Sequence, residues 1–435
     1  MQQWLKNYFE LEALNTDIKT EVSAGLTVFI TMAYILILNP MILAQTGMDF
    51  GAVFTATALT TIIATAGMSL IAKLPLALSS GMGLNTLFAY YAVLESGHSW
   101  SFALTATLIV GLLFLLLSPL NIREKVMQWM PVSLRHAITA GIGLFITSIG
   151  LKNSGLIIAS DSTLIALGDL SAPAPLLACI GLAITAVLMV RKVPMALLLG
   201  IAITTIIGFF FGVTPKPTGI VSLPPSLAPT LLQFDFSRLF SLDMLMVVFT
   251  FGIVAMFNTA GLLIGFSHKL GANDPPGDFP AGKKALLCDA IGTTVGACLG
   301  TSSQTIFAES ASGIAVGGRS GLTALVVAIC FLFAIFFSPL IQIIPNSATG
   351  PALILVGLFM ISSLLNIPFD DHSEGIPAFL TVIMMPFSAS IADGIGWGMI
   401  SYCLLKGLGG SERRKQLHPM IVVFALLFLL KYIIL

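Results

Sequence analysis

From residue 101 to residue 119 the chain reads SFALTATLIVGLLFLLLSP, and uncharged stretches of this kind recur along most of its 435 residues. A helix of roughly 20 mostly apolar residues matches the hydrocarbon thickness of a bilayer. Charged residues make up only 9% of the chain, whereas a soluble domain carries roughly 25% to cover its surface. With 57% hydrophobic residues and a mean hydropathy of +1.00, most of this surface faces something other than water. Soluble domains are excluded, and the chain sits in a membrane. Its 20 basic and 20 acidic residues cancel, and no basic face is present to hold nucleic acid. Cys179, Cys288, Cys298, Cys330 and Cys403 lie in or beside apolar stretches without CxxC spacing, as small buried hydrophobes do. The amphipathic, acidic N-terminus lacks the pattern of a cleaved leader, so the first apolar segment is expected to stay in the mature protein.

Clear spans fall near 22–44, 52–72, 101–119, 133–151, 173–190, 193–212, 241–265, 321–342 and 349–366. Weaker ones, interrupted by glycine or polar residues, fall near 75–94, 284–300 and 302–318. The stretch 377–407 is too long for one crossing and contains Pro386, Asp393, Gly394 and Gly396, which predicts two short helices at 377–389 and 391–407. This makes about 14 transmembrane elements. A further apolar segment, 419–435, either crosses or lies against the bundle. Placing the N-terminus inside puts 16 of the 20 lysines and arginines in inside loops, Arg413, Arg414 and Lys415 among them. Only Lys152, Lys216, Arg238 and Lys431 remain outside. That asymmetry predicts a multi-pass plasma-membrane protein with a cytoplasmic N-terminus.

Transporters often place their site where two discontinuous helices meet near the bilayer midplane. Such helices are apolar segments interrupted by Gly, Ser and Thr, because the freed backbone groups must line a cavity rather than lipid. The third segment, LPLALSSGMGLNTLFAYYAVL (74–94), and the tenth, within LGTSSQTIFAESASGIAVGG (299–318), have this character. Leu78-Ser79-Ser80-Gly81 matches Gly300-Thr301-Ser302-Ser303 loosely, and each segment is third in a block of seven. An odd block inverts its successor. The alternative is two ordinary Gly/Ser-rich packing helices.

Ionisable residues at membrane depth are functional candidates by default. Glu309 follows the Ser/Thr-rich break, where a half-helix would offer free N–H groups. It suits a group that accepts a substrate N–H or carries a proton; the alternative is a carboxylate tying two helices together. Asp289 lies near Lys283 and Lys284, where a structural role is equally in keeping, and Asp393 belongs to a turn. Asn85 and Asn258 each donate and accept, as recognition of a heterocycle edge requires, or serve as packing glue. Phe88, Tyr90, Tyr91 and Phe307 could stack on a planar ligand, although Phe is abundant here at 30 residues.

AGLTVFITMAYILILNP (24–40), GMGLNTLFAY (81–90), CDAIGTTVGACLGTSSQTIFAES (288–310), GGRSGLTALV (317–326), FFSPL (336–340) and ATGPALILVG (348–357) resemble the AzgA-like purine permeases. That family carries adenine, guanine or hypoxanthine and is related to uracil and xanthine permeases. The resemblance covers about residues 17–407. It implies an all-α polytopic fold with a seven-plus-seven inverted repeat and discontinuous third and tenth helices. In that scheme 1–21 is a cytoplasmic segment, and the core comprises 22–119 (segments 1–4) and 241–342 (segments 8–11). The gate comprises 120–212 (segments 5–7) and 343–407 (segments 12–14). An outer linker spans 213–240, and 408–435 is a basic loop with a C-terminal apolar segment. The resemblance also implies proton symport from the cell inner membrane and a gate-to-gate homodimer.

By the same resemblance, Glu309 stands where relatives hold the base, and Phe307 and Ala308 stand as the aromatic and the small residue that let the backbone approach it. Asn85 matches the third-segment asparagine, and Asp289 the aspartate opening the ninth segment, expected with Glu309 in proton coupling. Segment eight departs. Where the family reads much like VDLFDTxGTL, this chain has VAMFNTAGLL, so Ala255, Asn258 and Leu262 replace two acids and a threonine. An amide at 258 keeps hydrogen bonding but cannot carry a proton. Other readings are an uncoupled nucleobase facilitator or a sulfate-type anion carrier of the same fold, although Glu309 has the wrong sign beside an anion. No HExxH, paired aspartates or GxSxG motif lies in a span, so neither catalysis nor a cofactor or metal is expected.

Overall fold

A computed structural model describes residues 2–118, 130–160, 164–193, 195–217, 219–270, 280–388 and 390–434. Most of them are helical. Among these residues, seven helices are long and apolar enough to cross a bilayer, the first being Ile18–Ala44 and the last Asn346–Asn366. Shorter apolar helices include Ala196–Phe210. Several hydroxyls within the spans return to their own helix: Thr57 to Val53 O, Thr185 to Gly181 O, Thr204 to Gly200 O. A buried hydroxyl satisfied in this way costs little in an apolar setting. Side-chain caps open the helices that follow tight loops. Asp49 accepts from Ala52 N at 2.7 Å and Ser99 from Phe102 N at 3.2 Å.

Two compact units are present, Met1–Arg123 with Ser154–Ala352, and Glu124–Asn153 with Leu353–Leu435. In the first unit the two halves of the sequence interleave. Helix Ile18–Met32 packs on Gly321–Ala334 and on Ser310–Val316, while Trp100–Leu117 packs on Pro280–Leu299 and Leu242–Lys269. Glu21 is fully buried and receives the Arg319 and Ser320 N–H groups at 2.9 and 3.2 Å, with the Thr323 hydroxyl at 2.6 Å. A carboxylate from the first segment thus caps the helix starting at Gly321, across 302 positions of sequence. Helices Pro173–Val190 and Ala196–Phe210 pack on each other within this unit.

In the second unit, His372–Phe387 and Ile391–Leu408 are separate helices that pack together, as the split of 377–407 predicts. Helix Pro419–Ile434 runs beside Ile391–Leu408, with the Tyr432 hydroxyl 3.1 Å from Asp393 Oδ1. Asp393 therefore ties two helices. The all-α expectation needs correction at two places. Ile157–Ser160 pairs antiparallel with Leu164–Leu167 after Asn153. More consequentially, both broken segments contain a strand.

Candidate functional site

Glycine, serine and threonine propagate a helix poorly, because glycine loses most backbone entropy and short hydroxyl side chains compete for backbone partners. SSGMG and LGTSSQT are such runs, and the helices stop there. Gly300 closes Pro280–Leu299 with φ of +98°, its N–H and that of Thr301 both returning to Gly296 O. The extended residues that follow would leave bare N–H and C=O groups at membrane depth, and each break supplies the other's partners. Strand Leu78–Ser80 pairs antiparallel with Gln304–Ile306, Leu78 opposite Ile306 and Ser80 opposite Gln304. Gly81 N to Ser303 O at 3.2 Å and Phe307 N to Ala77 O at 2.9 Å extend the ladder. The residues that meet across the ladder are 78–80 and 304–306, a pairing separate from the repeat match of 78–81 with 300–303. Because they run antiparallel, the helices that follow, Met82–Thr86 and Ser310–Val316, leave the ladder from opposite ends. A Cβ on Gly81 would come within 2.6 Å of Thr305 Cγ2, so the breaks touch as closely as a glycine allows.

Around the ladder lies a buried polar tract that the sequence reading did not assemble. Asn39 Nδ2 donates to Thr57 and Thr301 hydroxyls at 2.6 and 2.9 Å. Ser80 Oγ lies 3.1 Å from Thr301 Oγ1 and receives Gln304 Nε2 at 3.0 Å. On the neighbouring strand position Thr61 meets Ser79 at 2.7 Å. These residues come from the first, second, third and tenth segments, and they fix the two breaks in register.

The candidate residues separate into two groups. Ala308 is exposed, Glu309 is half-buried and Asn258 is half-buried, so these three reach open space. Asn85 is fully buried and accepts from the Ser302 hydroxyl, joining the two breaks. Phe88 is fully buried with its ring 6.5 Å from that of Phe251, and Phe307 is buried. Tyr90 is turned to Gln45 Oε1 at 2.7 Å, and Tyr91 is buried. Asp289 is fully buried and accepts from Thr259 Oγ1 at 2.8 Å. Thr259 in turn lies 3.1 Å from Thr305, and so links segments eight, nine and ten beside Asn258.

The expectation of free N–H groups at Glu309 is corrected by the geometry. Ser310, Ala311 and Ser312 donate to the carbonyls of Phe307, Ala308 and Glu309 at 3.1, 3.0 and 2.9 Å, so the first turn is already tightened onto itself. The carboxyl is held instead by the Tyr34 hydroxyl, which donates to Glu309 Oε1 at 2.5 Å. Tyr34 sits where the first segment is interrupted, between Ile18–Met32 and Ile35–Ala44. Its only signal in the sequence is a lone phenol in TMAYILIL.

A model of the Permease family matches residues 19–396 of this chain. A putative permease of Methanocaldococcus jannaschii is 45% identical over 433 residues, covering 100% of this chain and 99% of its own. The adenine permease AdeP of Escherichia coli is 43% identical, covering 99% of this chain and 96% of its own. The guanine/hypoxanthine permease PbuO of Bacillus subtilis is 42% identical, covering 98% and 100%. Among solved structures, the transmembrane domain of the cyanobacterial bicarbonate transporter BicA superposes with a TM-score of 0.64 at 18% identity, covering 87% of this chain and 96% of that one. The murine anion transporter Slc26a9 gives 0.64 at 10% identity, covering 93% and 72%. At these identities the likeness is one of fold.

Proposed function

This chain belongs to the Permease family, and from that membership we infer that it is a multi-pass secondary transporter importing a purine nucleobase, adenine, guanine or hypoxanthine. It belongs with transporters rather than enzymes. The geometric observation that carries the reading is Glu309, a half-buried carboxyl beside the exposed Ala308, set between a strand and a half-helix and held by a phenol. A purine presents ring N–H donors and bare ring nitrogens on one rigid plane. A carboxyl accepts from the first or, protonated, donates to the second. Asn258, whose amide both donates and accepts, suits the base's other edge.

In this reading the fold is a seven-plus-seven inverted repeat, supported by the antiparallel strand pair that sends two half-helices in opposite directions. Segments 1–4 and 8–11 act as core, and segments 5–7 and 12–14 as gate, in alternating access. The N-terminus is cytoplasmic, and coupling is to protons, through Glu309 with Asp289 as a second buried acid. Phe88, Phe307 and Asn85 then support the base-binding residues by packing behind them.

The test is uptake in cells lacking their own purine carriers. Labelled adenine or hypoxanthine is expected to accumulate above the external concentration, with unlabelled purines competing and a protonophore abolishing the gradient. Sulfate uptake, or indifference to every purine, would refute the purine reading; purine uptake that ignores the protonophore would refute the coupling. Asn258→Asp is expected to steepen the pH dependence of uptake, since it places a titratable group where the resemblance implies that the family has one. An unchanged pH profile would show that position 258 has no share in coupling.

A further inference from the structure

Resting on the reading of Glu309 as the base-binding carboxyl, we propose that Tyr34 is its positioning residue: by donating to Oε1 it leaves Oε2 as the oxygen that faces the base and carries the coupled proton. The contact is built rather than incidental. Tyr34 is 3% exposed, and its carbonyl accepts from Ile37 N and Leu38 N at 3.0 Å each, which anchors its main chain in the first turn of Ile35–Ala44. One helical turn earlier, Thr31 Oγ1 lies 3.2 Å from Ser312 Oγ. Thr31 and Tyr34 are three residues apart, as are Glu309 and Ser312, so the two segments meet in antiparallel order. The backbones are close enough to fix this match. A Cβ on Gly313 would come within 2.5 Å of Val28 Cγ2 and 3.1 Å of Ala24 O.

A phenol has one proton to donate, and Glu309 receives it. With Oε1 acting as acceptor, a proton taken up by the carboxyl goes to Oε2, making an O–H there and leaving Oε1 as the carbonyl oxygen. That O–H faces away from Tyr34 and donates to a bare ring nitrogen of the base. Proton and base then bind together, as symport requires. A proton on Oε1 would point at the phenol and contribute nothing to the substrate. The other acids on the packed elements are engaged elsewhere: Asp289 with Thr259, and Glu21 with backbone N–H groups of Arg319 and Ser320.

The experiment uses the full-length protein in proteoliposomes, measuring KM for labelled adenine or hypoxanthine and proton influx per base carried. Tyr34→Phe removes one oxygen from a buried ring. It is expected to raise KM about tenfold, the scale of one charge-assisted hydrogen bond, and to lower proton influx per base. Thr31→Val, which removes the other rung, is expected to leave both within about twofold. Wild-type KM and coupling in Tyr34→Phe, or an equal loss in Thr31→Val, would overturn the proposal. Should Tyr34→Phe fail to reach the membrane, two site-specific replacements decide: 3-fluorotyrosine at 34, which keeps the donor, must retain the wild-type KM, and 4-fluorophenylalanine, which lacks it, must not. Equal behaviour of the two overturns the proposal. Glu309→Gln separates the two levels: if it leaves base binding untouched the reading of the site itself fails, whereas its loss alongside an intact Tyr34→Phe defeats only the role of Tyr34.

Discussion

Glu309→Gln is expected to lower purine uptake by about 100-fold or more while the protein reaches the membrane in normal amount. The substitution preserves size and one oxygen, so packing around the break is unchanged. What changes is the pattern of donors and acceptors. The Tyr34 hydroxyl claims the amide oxygen, as it claims Oε1 in the wild type, and the NH₂ group then occupies the position of Oε2. A carboxyl there accepts or donates according to its protonation; an amide nitrogen only donates and carries no transportable proton. A hydrogen bond to a charged group is worth about 1.5–3 kcal/mol, or roughly 10- to 100-fold, before the loss of coupling is counted. Uptake at low external base, with expression measured on the same membranes, reads the effect. Retention of wild-type rate, affinity and protonophore sensitivity would remove Glu309 from the site.

The spans were legible because lipid imposes a length and a composition that few sequences meet by accident. The strands were not. Three residues are too few to show an alternating pattern, and the partner of Leu78 is Ile306, in the other half of the chain. Tyr34 was hidden for the same reason, since 275 positions separate it from Glu309. Local pattern marks where a helix fails; it says nothing of which distant residue meets the exposed group. Asn85, Phe88 and Phe307 illustrate the converse. Their types suit a planar ligand, but a side chain's type does not fix its surroundings: all three are buried, Asn85 accepting from Ser302 and Phe88 lying beside Phe251. Segment eight stands out in the sequence for its missing acids, whereas its Thr259 bridge between Asp289 and Thr305 leaves no signal because threonine is common in such helices.

One of the basic residues assigned to the inside does not lie on a solvated loop. Lys406 counts as an inside-loop lysine in the orientation argument, yet it is 1% exposed in the last turn of Ile391–Leu408. Its ammonium lies 2.7 Å from Glu374 Oε1 and 2.7 Å from Gln416 Oε1, and 5.5 Å from the centre of the Tyr402 ring. Glu374, opening helix His372–Phe387, also accepts from the Ser133 hydroxyl and from Tyr402 at 3.4 Å. One pair therefore joins helices Val132–Asn153, His372–Phe387 and Ile391–Leu408 to the segment that leads into Pro419–Ile434. Removing one partner of a buried pair strands the other's charge, at a cost of about 3–5 kcal/mol, while removing both in favour of apolar groups is often neutral. Lys406→Met is accordingly expected to lower the apparent melting temperature of the purified protein in detergent by about 5 °C or more. Adding Glu374→Gln to it should recover most of that loss, because the amide still accepts from Ser133 without a charge to bury. The single and double variants are compared by thermal unfolding and by uptake scaled to folded protein. If Lys406→Met is as stable as the wild type, the pair is not a structural joint. If the double variant is worse than the single, the lysine contributes through its own packing and cation–π contact rather than by neutralising Glu374.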